Sequence, residues 1–129
     1  MDNSIGKVGS AATKLNDTNT ARAVGSGSLD VFSTPMMIAL MEQAACNALV
    51  GVIDADATTV GVSISVEHKA PTVCGKITAT AKVIAVDGRR IDFELSACDE
   101  SGEIGTGIHS RFIVNIEKFI AKANERVTK

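Results

Sequence analysis

The apolar and polar positions of this chain follow two periods, a helical one in the first half and a strand-like one beyond it. Apolar residues fill nearly all of positions 35–46, and their spacing predicts an α-helix from Pro35 to about Val50. Thr34 or Ser33 is suited to cap this helix, and the proline is suited to its first turn. The glycine that follows Val50 is a plausible end.

The second half of the chain alternates apolar and polar residues with a period of two, which is typical of half-buried strands. The clearest case is Val60, Val62, Ile64 and Val66, and Asp87-Gly88 is a strong tight-turn signal further on. The predicted strands cover 59–68, 76–86, 89–98 and 103–114, a closing helix covers 115–122, and a weaker first strand lies near 12–15 or 21–24.

One long apolar helix followed by four hairpin-linked strands indicates an α+β domain. An antiparallel sheet of long strands needs one face covered, and one central helix is available to cover it. The predicted architecture is therefore the hotdog fold, a sheet wrapped around a helix, over residues 1–129 as one domain. Residues 1–30 form a polar N-terminal segment that ends in a mobile Gly/Ser loop. Because open sheet edges are usually removed by pairing with a second copy, we expect a homodimer or a higher homo-oligomer.

Composition narrows the class of protein. The net charge of −2 has no basic patch, which argues against nucleic-acid binding. The three cysteines lack a Cys-x-x-Cys pairing and are expected to be reduced, two of them packed as small hydrophobes. The N-terminus has no signal-peptide core, and no apolar stretch is long enough to span a bilayer. We therefore expect a cytoplasmic domain.

A single carboxylate, Glu42, interrupts the apolar helix. An ionised carboxylate is costly to bury without a partner, so either the helix turns it towards water or a polar site lies beneath it. Its apolar neighbours Ile38, Met41 and Ala45 favour the second interpretation.

The two histidines are the other candidates for acid–base chemistry. His68 ends an alternating strand, whereas His109 lies in the last strand with no acidic residue at a comparable spacing. Neither forms a standard zinc spacing with the cysteines, so no metal is expected. Thr34 and Gly61 also have ordinary structural interpretations, as a helix cap and as a strand glycine at a bulge.

Several segments together resemble the fluoroacetyl-CoA thioesterase family of the hotdog superfamily. These segments are VFSTPMMIALME at 31–42, TVG at 59–61 leading to His68, APT at 70–72 with Gly75, DGRR at 87–90 and IGTGIHSR at 104–111. The resemblance runs from about Val31 to Phe119. It implies hydrolysis of an acyl-CoA thioester without metal or redox cofactor, by a catalytic set of Thr34, Glu42 and His68.

The same resemblance implies that Gly61 lies beside the bound acyl group. Phe32 and Arg111 are predicted to contact the substrate, and Arg111 or Lys69 is a candidate for the CoA phosphates. The fluoroacetyl-specific enzyme carries a lid with phenylalanines before the helix, where this chain has Gly25-Ser26-Gly27-Ser28. We therefore expect a different short acyl group. The alternative functions are a non-catalytic acyl-CoA-binding module and a hydratase, for which the Asp-x-x-x-x-His motif is missing.

Helix geometry constrains the predicted catalytic set. Eight residues separate Thr34 from Glu42, which is a rise of about 12 Å and a rotation of about 80°. These two side chains cannot touch, so His68 or substrate lies between them, or a partner subunit supplies one member. We expect the partner of Glu42 to be His68, either within the subunit or across a dimer interface.

Overall fold

The structure is a computed structural model that describes residues 2–127. A 3-10 turn at Asp2–Ser4 precedes strand β1 (Val8–Lys14), the short helix α1 (Ala21–Val24) and the long helix α2 (Thr34–Ala48). The second half contains β2 (Ala57–His68), β3 (Lys76–Asp87), β4 (Arg90–Asp99), β5 (Gly102–Asn115) and helix α3 (Ile116–Val127). The four long predicted strands and the central helix are confirmed, with small shifts at their ends, and the closing helix is confirmed but ends at Val127, five residues later than predicted.

The described strands form one antiparallel sheet in the order β1-β3-β4-β5-β2. β3, β4 and β5 are joined by tight turns, whereas the chain crosses from β1 at one edge through α2 to β2 at the other. β2 follows β5 from Ala57↔Asn115 to His68↔Gly105, and this register is interrupted between Gly61 and Ser63. The outer side of β2 is the sheet edge near the candidate residues.

Helix α2 begins at Thr34 because Ser33 caps it. The Ser33 side chain accepts a hydrogen bond from the backbone N–H of Met36, at 3.2 Å. Of the two predicted cap residues, Ser33 is therefore the correct one and Thr34 is the first helical residue. That assignment leaves the Thr34 hydroxyl available for other contacts.

The core lies between α2 and the concave face of the sheet. The buried residues of α2 are Met37, Leu40, Met41, Ala44, Ala45 and Ala48. They pack mainly against β1 and β3, where Gly9 allows the closest approach. A Cβ atom at Gly9 would lie 2.3 Å from the carbonyl oxygen of Ala44, so glycine is required here. Helix α2 makes fewer packing contacts with the half of the sheet formed by β5 and β2.

Three details of the sequence interpretation are wrong. Residues 21–24 form one helical turn capped by Thr20 rather than a strand, and the first strand extends over Val8–Lys14, inside the polar N-terminal segment. All three cysteines are exposed rather than packed, because they lie on the outward faces of their elements or in a loop. In residues 2–127 no helix is long and apolar enough to cross a membrane.

Candidate active site

Thr34 and His68 meet at the N-terminal end of α2. Thr34 opens the helix and His68 ends β2, and the Thr34 Oγ1 lies 2.7 Å from the His68 Nδ1. Both residues line a cleft of about 300 Å³, together with Phe32 and Pro71. Two of the three predicted catalytic residues are therefore in hydrogen-bond contact, although 34 residues separate them in the chain.

Burial sets the charge state of His68. Desolvation lowers the pKa of its imidazole below the ordinary 6.5, because a charged ring is disfavoured away from water. The ring is therefore neutral at pH 7. Its second nitrogen, Nε2, is buried and has no hydrogen-bond partner in the part of the chain that the structure describes. A buried ring nitrogen without a hydrogen-bond partner is uncommon, so a partner from outside these residues is expected.

Glu42 lies two turns further along α2, on the β5–β2 side of the helix. Its Oε2 is 3.5 Å from the Nη1 of Arg111 and 3.9 Å from the Nε2 of His109. The Glu42 side chain is 41% exposed, whereas those of Arg111 and His109 are 8% and 1% exposed. The carboxylate that interrupts the apolar helix is therefore compensated by a buried guanidinium.

Arg111 is fixed by bonds to β2 as well as by the carboxylate. Its Nε donates to the Thr59 Oγ1 at 2.9 Å, and its Nη2 donates to the Thr59 carbonyl oxygen at 3.0 Å. Its Nη1 lies 3.1 Å from the His109 Nε2. A guanidinium held at several N–H groups has little rotational freedom, so Arg111 is a rigid neighbour for Glu42.

His109 connects this arginine to the backbone of β2. Its Nδ1 lies 2.7 Å from the carbonyl oxygen of Ser63, and its ring stacks on Phe93 with centroids 6.0 Å apart. Burial lowers the pKa of His109, and the charge of Arg111 lowers it further, against the opposing effects of the Ser63 bond and Glu42.

Gly61 lies directly beside the Glu42 carboxylate, at the register interruption of β2. A Cβ atom at this position would lie 2.8 Å from the Glu42 Oε2, 3.1 Å from the His109 Cε1 and 3.3 Å from the Arg111 Nη1. The absence of a side chain at Gly61 therefore creates the space that the carboxylate occupies.

The predicted site residues thus fall into two groups. Thr34 and His68 are in contact, with the buried Phe32 nearby. Glu42 is grouped with Gly61 and Arg111 about 12 Å further along the helix. Within one chain Glu42 contacts Arg111 and His109 and not His68. The prediction of a His68 partner is therefore not met inside a single subunit.

The surroundings of two neighbours of Glu42, His109 and Arg111, differ from what the sequence interpretation expected. His109 has an acidic neighbour after all, and Arg111 is directed at a carboxylate rather than at an open phosphate-binding surface. The sequence does place residues 109 and 111 two apart on one strand, and therefore on one face, but no local pattern places that face beneath Glu42. Lys69, the other phosphate candidate, pairs with Glu103 on the surface. No three His, Cys, Asp or Glu side chains of residues 2–127 are placed to hold a metal.

Solved structures with a similar fold define the class of this protein. A hot-dog-like protein from Thermanaerovibrio acidaminovorans superposes with a TM-score of 0.86 at 26% identity, over 95% of this chain and 91% of that chain. A mutant of a fluoroacetyl-CoA-specific thioesterase superposes with a TM-score of 0.87 at 31% identity, over 95% and 96%. The fold is therefore that of the hotdog thioesterases, as predicted.

Sequence comparison narrows the class to one family. Residues 15–117 match the model of the fluoroacetyl-CoA-specific thioesterase family. The fluoroacetyl-CoA thioesterase of Streptantibioticus cattleyicolor is 38% identical over 98 residues, which is 75% of this chain and 70% of that protein. This chain belongs to the fluoroacetyl-CoA-specific thioesterase family, and it is a thioester hydrolase.

Proposed function

We propose that this protein hydrolyses a short-chain acyl-CoA thioester to the free acid and CoA. Thr34, His68 and Glu42 carry the reaction, and neither a metal nor a redox cofactor takes part. The observation that carries the proposal is the 2.7 Å contact between the Thr34 Oγ1 and the His68 Nδ1 in a cleft at the start of α2. Hydrolysis adds the elements of water across the C–S bond, so a base, a proton donor for the thiolate and donors for the oxyanion are needed.

Thr34 and His68 have the geometry of an activated hydroxyl. A neutral His68 accepts a proton at Nδ1, and the Thr34 hydroxyl donates along that contact. Two routes use the same pair. In the first, the Thr34 hydroxyl gives its proton to His68 and attacks the thioester carbonyl, the C–S bond breaks, His68 returns the proton to the CoA thiolate, and water then hydrolyses the acyl–Thr34 ester. In the second, the hydroxyl orients a water molecule that attacks the carbonyl directly, and the C–S bond breaks in the same way. The backbone N–H of Thr34 is the candidate donor to the developing oxyanion in either route, because Pro35 has no N–H and the N–H groups of Met36 and Met37 already bond to Ser33.

Glu42 enters this site from a second copy of the chain. About 12 Å of helix separate it from Thr34 within one subunit, and the contacts of its own subunit leave 41% of its side chain exposed. β2 has an unpaired outer edge beside both groups, and a symmetric pair of subunits along this edge would give two equivalent shared sites. The Nε2 of His68 has no hydrogen-bond partner in the part of the chain that the structure describes, and we infer that in the dimer the imidazole shifts so that this N–H donates to Glu42 of the partner subunit.

The cleft supports a short acyl group. It has a volume of about 300 Å³ and is lined by apolar residues such as Phe32, Val31 and Pro71 and by the polar Ser26 of the preceding loop. Mutants of the related fluoroacetyl-CoA-specific enzyme have been crystallised with acetyl-CoA and with fluoroacetate and CoA. Because the loop 25–28 contains no phenylalanine, we infer that this enzyme does not prefer the fluorinated acyl group over other short acyl groups. Three free thiols are consistent with a cytoplasmic location.

A thiol-release assay over a panel of acyl-CoAs tests the activity. We expect acetyl- and propionyl-CoA to be hydrolysed with similar kcat/KM to fluoroacetyl-CoA, and long-chain acyl-CoAs to be poor substrates. Glu42→Gln, His68→Gln and Thr34→Ala should each lower kcat by about 10² or more. Full activity in the Glu42 and His68 variants would refute the assignment, and tight binding without turnover of any acyl-CoA by the unmodified protein would refute hydrolysis.

Mixing two inactive variants tests the shared site. A mixed dimer of Glu42→Gln and His68→Gln subunits contains one site with both wild-type residues if each site draws on two subunits. Random reassociation of equal amounts should restore about a quarter of wild-type activity. If each site lies within one subunit, or if Glu42 acts elsewhere, mixing restores nothing.

A further inference from the structure

His109 has no part in the mechanism above, although it is the most buried ionisable residue next to Glu42. Its side chain is 1% exposed and lies between Phe93, Ser63 and Arg111. A buried imidazole with both ring nitrogens engaged is more than an apolar filler of the core, because each bond requires a specific proton arrangement. The bonds themselves determine that arrangement.

The partners of His109 define one tautomer. The guanidinium of Arg111 only donates hydrogen bonds, so the His109 Nε2, 3.1 Å from the Arg111 Nη1, must be the acceptor. The Ser63 carbonyl oxygen only accepts, so the Nδ1 at 2.7 Å must carry the proton. His109 is therefore neutral and protonated on Nδ1.

We propose that His109, in this neutral Nδ1–H form, is a positioning residue for Glu42 that acts through Arg111. The Arg111 Nη1 has two hydrogens, and the geometry directs one to the His109 Nε2 and the other to the Glu42 Oε2. This inference rests on the proposed function, because it assigns His109 to the catalytic role of Glu42.

The distances explain why the acceptor matters. The contact between the Arg111 Nη1 and the Glu42 Oε2 is long, at 3.5 Å, and does not by itself hold the two groups in register. The Thr59 bonds hold the opposite side of the guanidinium. Without the His109 acceptor, one buried N–H of the Arg111 Nη1 is left without a hydrogen bond. The guanidinium would then lower its free energy by rotating towards another acceptor, away from Glu42.

The competing role for His109 is a purely structural one, the support of the β2 bulge through Ser63. The two ring nitrogens separate these roles, because different amides match them. The side-chain oxygen of glutamine occupies the position of Nε2 and can accept from Arg111. The amide nitrogen of asparagine occupies the position of Nδ1 and can donate to Ser63. Phenylalanine keeps the ring stack on Phe93 and neither polar bond.

Steady-state kinetics of the full-length protein with acetyl-CoA and the three variants tests the proposal. We expect His109→Phe and His109→Asn to lower kcat by about 10- to 100-fold with KM changed by less than about threefold. His109→Gln should recover most of the lost kcat. Recovery by asparagine and not by glutamine, or a loss of kcat that follows a loss of thermal stability in all three variants, would overturn the proposal.

A combined variant distinguishes failure of this inference from failure of the proposed function. If His109 acts through Glu42, His109→Phe should lower kcat by less than about twofold in a Glu42→Gln background. An equally large effect in that background would overturn the inference and leave the role of Glu42 intact. A Glu42→Gln variant with full activity would instead refute the proposed function.

Nitrogen-15 NMR of the imidazole provides a readout that is independent of turnover and of folding yield. We expect the His109 Nδ1 to carry the proton at pH 7 and its Nε2 to resonate as an unprotonated nitrogen. Arg111→Met should shift the Nε2 resonance and leave the Nδ1 resonance nearly unchanged. A protonated Nε2 in the unmodified protein would overturn the tautomer and with it the proposal.

Discussion

Replacing Gly61 with alanine is a small change that acts directly on the Glu42 carboxylate. The backbone of Gly61 is not in the left-handed region, so alanine adds no backbone strain. Its Cβ would lie 2.8 Å from the Glu42 Oε2, whereas ordinary contact begins at 3.4 Å. The carboxylate oxygen must therefore retreat by about 0.6 Å. It is the end of a flexible side chain, and it yields more readily than the backbone.

That displacement is sufficient to reduce turnover. A misplacement of about 1 Å can cost about 10² in rate, so a movement of about 0.6 Å should lower kcat about tenfold, or about 1.4 kcal/mol in the activation free energy. The free energy of unfolding should hardly change. Alanine lowers the conformational entropy of the unfolded chain, which stabilises the folded state by about 0.4–1 kcal/mol and offsets the local repulsion. We expect Tm to move by less than about 4 °C.

The measurement is kcat and KM by thiol release from acetyl-CoA, with Tm by calorimetry on the same preparations. Thr58→Ala, at an exposed position on the same strand, is the matched control and should retain wild-type kcat. Gly61→Ala should have no further effect in a Glu42→Gln background. A wild-type kcat for Gly61→Ala, or an undiminished loss in that background, would refute the argument that Gly61 acts by making room for the carboxylate.

Three further predictions concern the cap, the base and a buried hydroxyl. Ser33→Ala should lower the free energy of unfolding in urea by about 1 kcal/mol, whereas Thr34→Ala should change it by less than half of that and lower kcat instead. The acid limb of kcat/KM should have its midpoint below pH 6.5, because burial lowers the pKa of His68, and a midpoint at or above pH 6.5 would contradict this. The free energy of unfolding should also decrease as pH falls below 6.5, since His68 binds a proton more strongly in the unfolded state. Thr72→Val should cost about 1 kcal/mol at pH 7. Its bond lowers the pKa of Asp99, so the deficit in urea denaturation should shrink below pH 3.8; an unchanged deficit would contradict the assignment.

The elements of the fold were predictable because their signals are local. The alternation at 60–66 and the Asp87-Gly88 turn indicate strands that present apolar side chains on one face and polar side chains on the other. The first strand was harder to place, because Val8–Lys14 contains small and polar residues and packs against α2 through Gly9. Its strand conformation depends on pairing with β3 and not on its own pattern.

The candidate site was predictable only in part, for the same reason. The helical stretch identified Glu42 as an unusual charge, and the resemblance added Thr34 and His68. Neither indicated that His109 and Arg111 would lie beneath the carboxylate. That contact depends on how α2 crosses β5, and on a register of β2 in which Gly61 lies opposite Arg111.

The sequence by itself determined which segments form the helix and the strands, that the long helix carries one costly carboxylate, and which family the chain resembles. These properties follow from the spacing and type of neighbouring residues. Only the tertiary structure decided that Thr34 bonds to His68 and that Glu42 faces a buried arginine. Contacts between residues that are distant in the chain depend on sheet register and on the crossing of helix and sheet, and no local pattern encodes either.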